Sequence, residues 1–331
     1  MNLGIFLLLI LLNIFISLNY KYVARKLKIF DNPNNQLKIH KRKTPLIGGL
    51  FVILNLIILL FINQFYLEIF TFENKREVFS FIFLTMTFFF IGLYDDKYQI
   101  SFGIRIILGV LTTLLVILIN QNLKIENLLF SFYEYEIFLR NLTLIFTLFS
   151  ILAFIHATNM FDGINSQLII YYIVLNTFLF YISNFNITYL FLYPAILNLF
   201  ILNLNGKIFL GDSGSYSLGA LYSFFIIYEY TTFQNIVFAD EILILTLIPG
   251  LELVRLSIYR VYSGRNIFSG DLEHLHHLLL LKFGQFKTNL IVTIMIIIPI
   301  LLMMITNINL HLILILSILS YCLIIYFLKK K

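Results

Sequence analysis

Long apolar runs separated by short polar islands make up nearly the whole chain. Eleven stretches have the length and apolarity of membrane spans: 2–20, 45–65, 77–94, 103–120, 138–156, 167–183, 186–203, 215–232, 239–257, 288–306 and 308–328. Each predicts a helix, because a segment in hydrocarbon must satisfy every backbone N–H and C=O within itself. At about 20 residues per span, they leave no room for a separate soluble domain. The expected architecture is one all-α, polytopic membrane domain over residues 1–331.

Composition agrees with that pattern. Hydrophobic residues make up 60% of the chain and charged residues 12%, with a mean hydropathy of +0.93. A soluble domain carries about a quarter charged residues. Met1 to Gly4 bears no charged side chain, and the Lys-rich stretch follows the first apolar run. The first run is therefore expected to stay as a helix and not to act as a cleaved signal peptide. The 36 Phe and 20 Tyr suit lipid-facing surfaces and interfacial belts. Cys322, the single cysteine, lies inside the last run, which excludes a disulfide or a cysteine metal site.

Charge gives the orientation. Assigning alternate loops to two sides puts 19 of the 23 Lys and Arg together and leaves only Lys75, Arg76, Lys124 and Arg140 on the other side. The positive-inside bias then predicts a periplasmic N-terminus and a cytoplasmic C-terminus. The net charge of +6 suits anionic lipid and phosphorylated substrates. Nucleic acid is not an expected partner, since the basic residues are spread over membrane loops instead of lining a groove with stacking aromatics.

The remaining polar residues form five islands, all on the side assigned to the cytoplasm. Asp95 and Asp96 close an apolar run, and adjacent carboxylates repel unless a cation or a shared proton neutralises them. Mg²⁺ favours one or two carboxylates together with substrate phosphates. Alone, the pair could equally be an acidic helix end among lipid headgroups. Asn159 to Asn165 contains Asp162-Gly163, a turn that can present polar side chains to a ligand. Gly211-Asp212-Ser213-Gly214 precedes a helix, so backbone donors, a helix N-terminus and a metal-binding acid could meet one phosphate there. A plain turn capped by Ser215 is the simpler reading. The stretch from Arg260 to His277 holds Arg265, Asp271, His274, His276 and His277, which suits zinc or, beside Arg265, a phosphate. The first cytoplasmic loop carries Lys38, His40, Lys41, Arg42, Lys43, Thr44-Pro45 and Gly48-Gly49. Its charges can anchor to anionic lipid, but that does not account for the Thr-Pro and Gly-Gly pairs. Acids for a metal, bases for phosphates and glycines for close backbone approach together describe phosphoryl transfer at a membrane surface.

Five ordered motifs carry a resemblance over about residues 31–284: Asp31-x-Pro33 with His40 to Gly49, Gly92 to Ser101, Asn159 to Asn165, Lys207 to Gly219, and Arg255 to His277. In these the chain resembles the polyprenyl-phosphate N-acetylhexosamine-1-phosphate transferases, the family that also contains the phospho-N-acetylmuramoyl-pentapeptide transferase. The resemblance implies ten or eleven membrane helices and a cytoplasmic Mg²⁺ site, with Mn²⁺ as the alternative cation. It implies residence in the bacterial inner membrane. The implied reaction moves a sugar 1-phosphate from a UDP-sugar to undecaprenyl phosphate, releasing UMP, at the start of cell-surface polysaccharide synthesis.

Carried over by motif, Asp95 and Asp96 match the paired catalytic acids and Asp212 the Mg²⁺ ligand, with Asp95 and Asp96 also expected near the metal. Asn159, Asp162 and Asn165 fall in the nucleotide region. His274, His276 and His277 match a histidine motif near the sugar phosphate, with Arg265 beside it; Lys43 and Thr44 lie in the basic loop. The spaced His-Leu-His-His resembles the N-acetylhexosamine branch, so the expected donor is a UDP-N-acetylhexosamine, GlcNAc first. Departures from the motifs are His156, Asn165, Ser166, Glu252 and a stretch from Asn203 to Lys207 that is one residue short. A pentapeptide transferase or a non-catalytic transporter of lipid or nucleotide sugar are the alternatives. The motifs leave homodimer formation open, and they do not separate direct attack by the lipid phosphate from a covalent Asp intermediate.

Overall fold

A computed structural model describes residues 2–33, 43–65, 69–70, 72, 74–266, 273–306 and 308–330. Lys38, His40, Lys41, Arg42 and Asp271 lie outside the described residues. The apolar runs fold into helices in the predicted order: α1 (Asn2–Leu27), α2 (Gly48–Phe65), α3 (Lys75–Tyr98), α4 (Phe102–Ile119), α5 (Thr143–Phe161), α6 (Gln167–Ile182), α7 (Ile187–Leu204), α8 (Gly211–Thr231), α9 (Ala239–Leu245), α10 (Leu247–Tyr262), α11 (Leu275–Ile305) and α12 (Leu310–Lys329).

Eight of these helices are long and apolar enough to cross a membrane. The run at 239–257 is not one straight span: α9 and α10 meet at Thr246 with a bend of 76°, and counted together they make a ninth. Two of the eleven predicted spans depart for physical reasons. Helix α6 has only 16 residues. Helix α8 has 21, but they include Asp212, Glu229 and four serines. It tolerates them because it is the axis of the bundle: every residue from Ser213 to Tyr230 is buried, with α2, α3 and α5 packed around it. Polar side chains in a membrane protein face the bundle interior, and α8 is shielded from lipid on all sides.

That packing sets helix ends against each other. A Cβ added at Gly92 of α3 would fall 2.3 Å from the carbonyl oxygen of Asp212, so only glycine permits the crossing of α3 and α8. The Gly48-Gly49 pair has the same role where α2 meets Leu210 and Ser213. Two short strands, β1 (Phe30–Asp31) and β2 (Thr44–Pro45), pair antiparallel with Asp31 opposite Thr44. The chain after β2 then runs beside the approach to α8: the N–H of Phe209 donates to the carbonyl of Pro45 at 2.9 Å, and that of Gly48 to the carbonyl of Phe209 at 3.2 Å. At the opposite end of the bundle, β3 (Asn127–Phe130) and β4 (Tyr133–Phe138) form a hairpin.

Helix α11 begins at Leu275, well before the predicted 288, and passes through a break at Gly284 (φ +75°). Its first turns carry the histidine motif. Helix α8 begins at Gly211, four residues before the predicted 215. Ser215 is therefore a buried residue of the second turn and not a cap.

Candidate functional site

A cavity of about 710 Å³ lies where α3 and α5 end and α8 begins. Four of the carboxylates that line it come from the helix ends: Asp95, Asp96, Asp162 and Asp212. Asn159, Asn165 and His277 join them, with Asp31 from the first loop. Polar residues from four of the five islands thus line one cavity, although 182 positions separate Asp95 from His277.

Each acid is held differently. Asp96 accepts two backbone N–H groups at the start of α8, from Asp212 at 2.8 Å and from Ser213 at 2.9 Å. The donors expected to meet a substrate phosphate are thus already taken by a carboxylate, which the positive end of the helix equally favours. Asp95 forms an ion pair with Arg105 of α4 at 2.5 Å, and only 5% of its side chain is exposed. Its carboxyl lies against that of Asp212. Asp212 is steadied by Asn159, whose side-chain amide donates to Asp212 Oδ1 at 2.7 Å and to Ser215 Oγ at 2.8 Å. Asp162, just past the end of α5, is pushed up to about 8 by burial and then by the charges of Asp212 and Asp96.

Other expected residues stand at the rim or behind the wall. Lys43 lies over the ring of Phe30, which lines the cavity, at 4.7 Å from its centroid. Thr44 is buried in β2 opposite Asp31. Arg265 is exposed just after α10, and its side chain does not line the cavity. His274 and His276 stack at 5.0 Å behind His277, which packs edge-on to His276 at 4.4 Å. His276 is 1% exposed and its imidazole fills the space beside Gly163, where an added Cβ would fall 1.7 Å from Nε2.

Some site residues were missed by the sequence reading. Arg105 was counted only as a loop charge. An arginine in an apolar helix needs a partner to offset its cost in lipid, and that partner is Asp95. Asn203 accepts the N–H of Ser166 at 2.5 Å and donates to the carbonyl of Ile208 at 2.9 Å, tying the second island to the third. Asn289 of α11 holds the carbonyl of Asn165 at 2.9 Å. Ser166, a departure where glycine is expected, sits at φ +73°, and its buried hydroxyl has no hydrogen-bond partner. The glycine preference at that position is thus conformational.

Among the described residues, no group of three or more His, Cys, Asp or Glu forms a ready-made metal cage, and this includes the three histidines. Mg²⁺ needs no such cage, because it binds through one or two carboxylates and substrate phosphates. The cavity gathers Asp95, Asp96, Asp162 and Asp212 within one space. Its hard oxygen donors fit Mg²⁺ or Mn²⁺.

Fold and cavity together define a multi-pass helical membrane protein with a carboxylate-rich site built from helix ends. Residues 78–229 match the model of glycosyl transferase family 4. The chain's curated relatives include proteins named undecaprenyl-phosphate alpha-N-acetylglucosaminyl 1-phosphate transferase. The one from Escherichia coli O157:H7 is 27% identical over 78% of this chain and 71% of its own length. The one from Thermotoga maritima is 26% identical over 85% of this chain and 83% of its own.

Proposed function

We propose that this protein transfers an N-acetylhexosamine 1-phosphate, GlcNAc 1-phosphate first, from a UDP-sugar to undecaprenyl phosphate and releases UMP at the cytoplasmic face of the bacterial inner membrane. The single observation that carries the reading is the convergence of Asp95, Asp96, Asp162 and Asp212 on one cavity with Asn159 and His277. The names of the relatives supply the substrate class.

Bound through Asp212 and the neighbouring acids, Mg²⁺ would neutralise the donor pyrophosphate. The chain's own residues do the rest by positioning and charge placement, since a phosphate nucleophile needs little activation near neutral pH. Asn159 fixes the rotamer of Asp212. Arg105 holds Asp95 oriented towards Asp212. Asp96 locks the start of α8, so the acids cannot drift apart. His277, and Lys43 from the rim, offer positive or donating groups to phosphate oxygens.

A transporter would place its polar groups near the midplane, at broken helices. Here the acids gather at helix ends, and the exposed side chains of α10 beyond the bend are largely apolar, as at Val254, Ile258 and Val261. The deciding experiment incubates membranes containing the protein with undecaprenyl phosphate, Mg²⁺ and a panel of UDP-sugars, followed by mass analysis of the lipid. A lipid-linked pyrophosphoryl N-acetylhexosamine is the expected product; unchanged lipid with every donor refutes the assignment. In the same assay, Asp212→Asn should abolish UMP release while the protein still inserts.

A further inference from the structure

Behind the histidine turn lies a charged cluster that does not line the cavity. Its centre is Glu252 of α10, only 1% exposed. Oε2 of Glu252 accepts the N–H of Leu275, the first residue of α11, at 2.9 Å, and lies 3.7 Å from Nδ1 of His274. Arg255, one turn further along α10, grips both carboxylate oxygens from Nη2 at 2.9 and 3.1 Å, and Oε1 from Nε at 3.0 Å. The same Nη2 donates to the carbonyl of Glu273 at 2.7 Å.

The remaining partner comes from the far end of the sequence. Tyr321 of α12 donates its hydroxyl to Oε1 of Glu252 and accepts from Nε of Arg255 at 2.7 Å. Its neighbours Leu319 and Leu323 are more than half exposed, as befits a lipid-facing helix, whereas Tyr321 is 3% exposed. Two more bonds attach α12 to the same region: Lys329 Nζ lies 3.0 Å from Glu273 Oε2, and Lys282 Nζ donates to the carbonyl of Phe327 at 3.0 Å.

We propose that Tyr321 is a positioning residue for the site: acting through Glu252 and Arg255, it fixes the first turn of α11, and with it the seat of His276 on Gly163 and of His277 in the cavity. Removing one partner of a buried ion pair is costly, so the pair needs every polar atom satisfied, and the Tyr321 hydroxyl completes it. The lever is short. Glu252 holds the N–H of Leu275, the next residue is His276, and His276 touches both Gly163 and His277. Glu252 is also one of the departures from the family's motifs, and its longer side chain spans from the Leu275 N–H to the Tyr321 hydroxyl.

The proposal rests on reading the cavity as the phosphosugar-transfer site, and its test separates the two claims. Tyr321→Phe removes one hydroxyl and keeps the ring. In the full-length protein, this variant should raise KM for the UDP-sugar on the order of tenfold with a smaller change in kcat, as expected for a misplaced binding group. Hydrogen exchange over residues 273–283 should quicken severalfold, while the start of α8 stays unchanged. Glu252→Gln should move both readouts the same way, and the double variant should be no worse than the poorer single one, because both act on one path. Parent-like kinetics and exchange in Tyr321→Phe overturn the proposal. So does a fall in kcat at constant KM, or full additivity in the double variant. If the parent protein transfers no sugar phosphate from any UDP-sugar, the functional reading fails, and the exchange readout alone judges the link from Tyr321 to α11.

Discussion

The carboxylate of Asp96 caps the helix that begins with Gly211-Asp212, taking the N–H of Asp212 on one oxygen and that of Ser213 on the other. Two acids that would repel across an empty cavity are instead locked at a fixed spacing, one by its side chain and the other by its backbone. The positive end of α8 offsets part of the charge brought in by Asp96. The order of the cavity thus depends on a bond between the end of α3 and the start of α8.

Asp96→Asn should break that arrangement. An amide can accept from only one of the two N–H groups, and its own NH₂ would face the other. Loss of a helix cap costs about 1 kcal/mol, so the folded protein should survive with a slightly lower thermal midpoint. Product formation should fall on the order of a hundredfold as preorganised charge is lost. Wild-type turnover in this variant would show that the lock is dispensable.

Asp95 depends on Arg105. Arg105→Met leaves a nearly buried carboxylate without its cation, and breaking a buried pair costs about 3 kcal/mol; the partial exposure of Arg105 (21%) places the expected loss below that. Asp95→Asn in the same chain should recover part of the stability but none of the activity. Thermal unfolding of the single and double variants measures the coupling. Simple additivity would mean that the pair contributes nothing.

Ser166 carries strain that a smaller residue would relieve. A non-glycine residue in the left-handed region costs of order 1 kcal/mol or more, and this serine also buries a hydroxyl that has no partner. Ser166→Gly should therefore raise the thermal midpoint while activity is retained. A lower midpoint would mean that the loss of chain entropy at glycine outweighs both gains.

Stability without metal should fall as pH rises. In the fold, Asp162 binds its proton up to about pH 8, against a usual value of 3.8 in the unfolded chain. Between those limits the folded state holds more protons than the unfolded state, so deprotonation on raising the pH works against folding. The thermal midpoint in EDTA should be higher at pH 5 than at pH 8, and Asp162→Asn should flatten that slope. Adding Mg²⁺ at pH 8 should restore stability by neutralising the carboxylates. An Asp162→Asn variant with the parent's slope would assign the titration to another group.

The architecture was largely legible because lipid is a severe solvent: a run of apolar residues in it can only be a helix. The order of the helices followed from that. What failed was local. The bend at Thr246 is hidden within a continuous apolar run, since both of its arms are equally apolar. The early start of α11 was hidden because its first turns, with His276, His277 and Lys282, are too polar for a span. Helix α8 was recognised by apolarity, but its place at the centre was not, because a period count cannot say which helices surround it.

For the site, the residue types and their one-sided grouping were determined by the sequence alone: acids, amides and histidines collect at helix ends because only there can their charges meet water or one another. The division of labour was decided by tertiary structure. Asp95 and Asp96 are adjacent in sequence and chemically identical, yet Asp95 turns towards Arg105 and Asp212, while Asp96 turns to the backbone of α8. The same holds for Tyr321, one more aromatic residue in an apolar helix until packing brings it against Glu252 and Arg255. Partners 10, 116 and 69 positions apart are chosen by how helices cross. That choice depends on close contacts such as Gly92 against Asp212, which exist only once the bundle has formed.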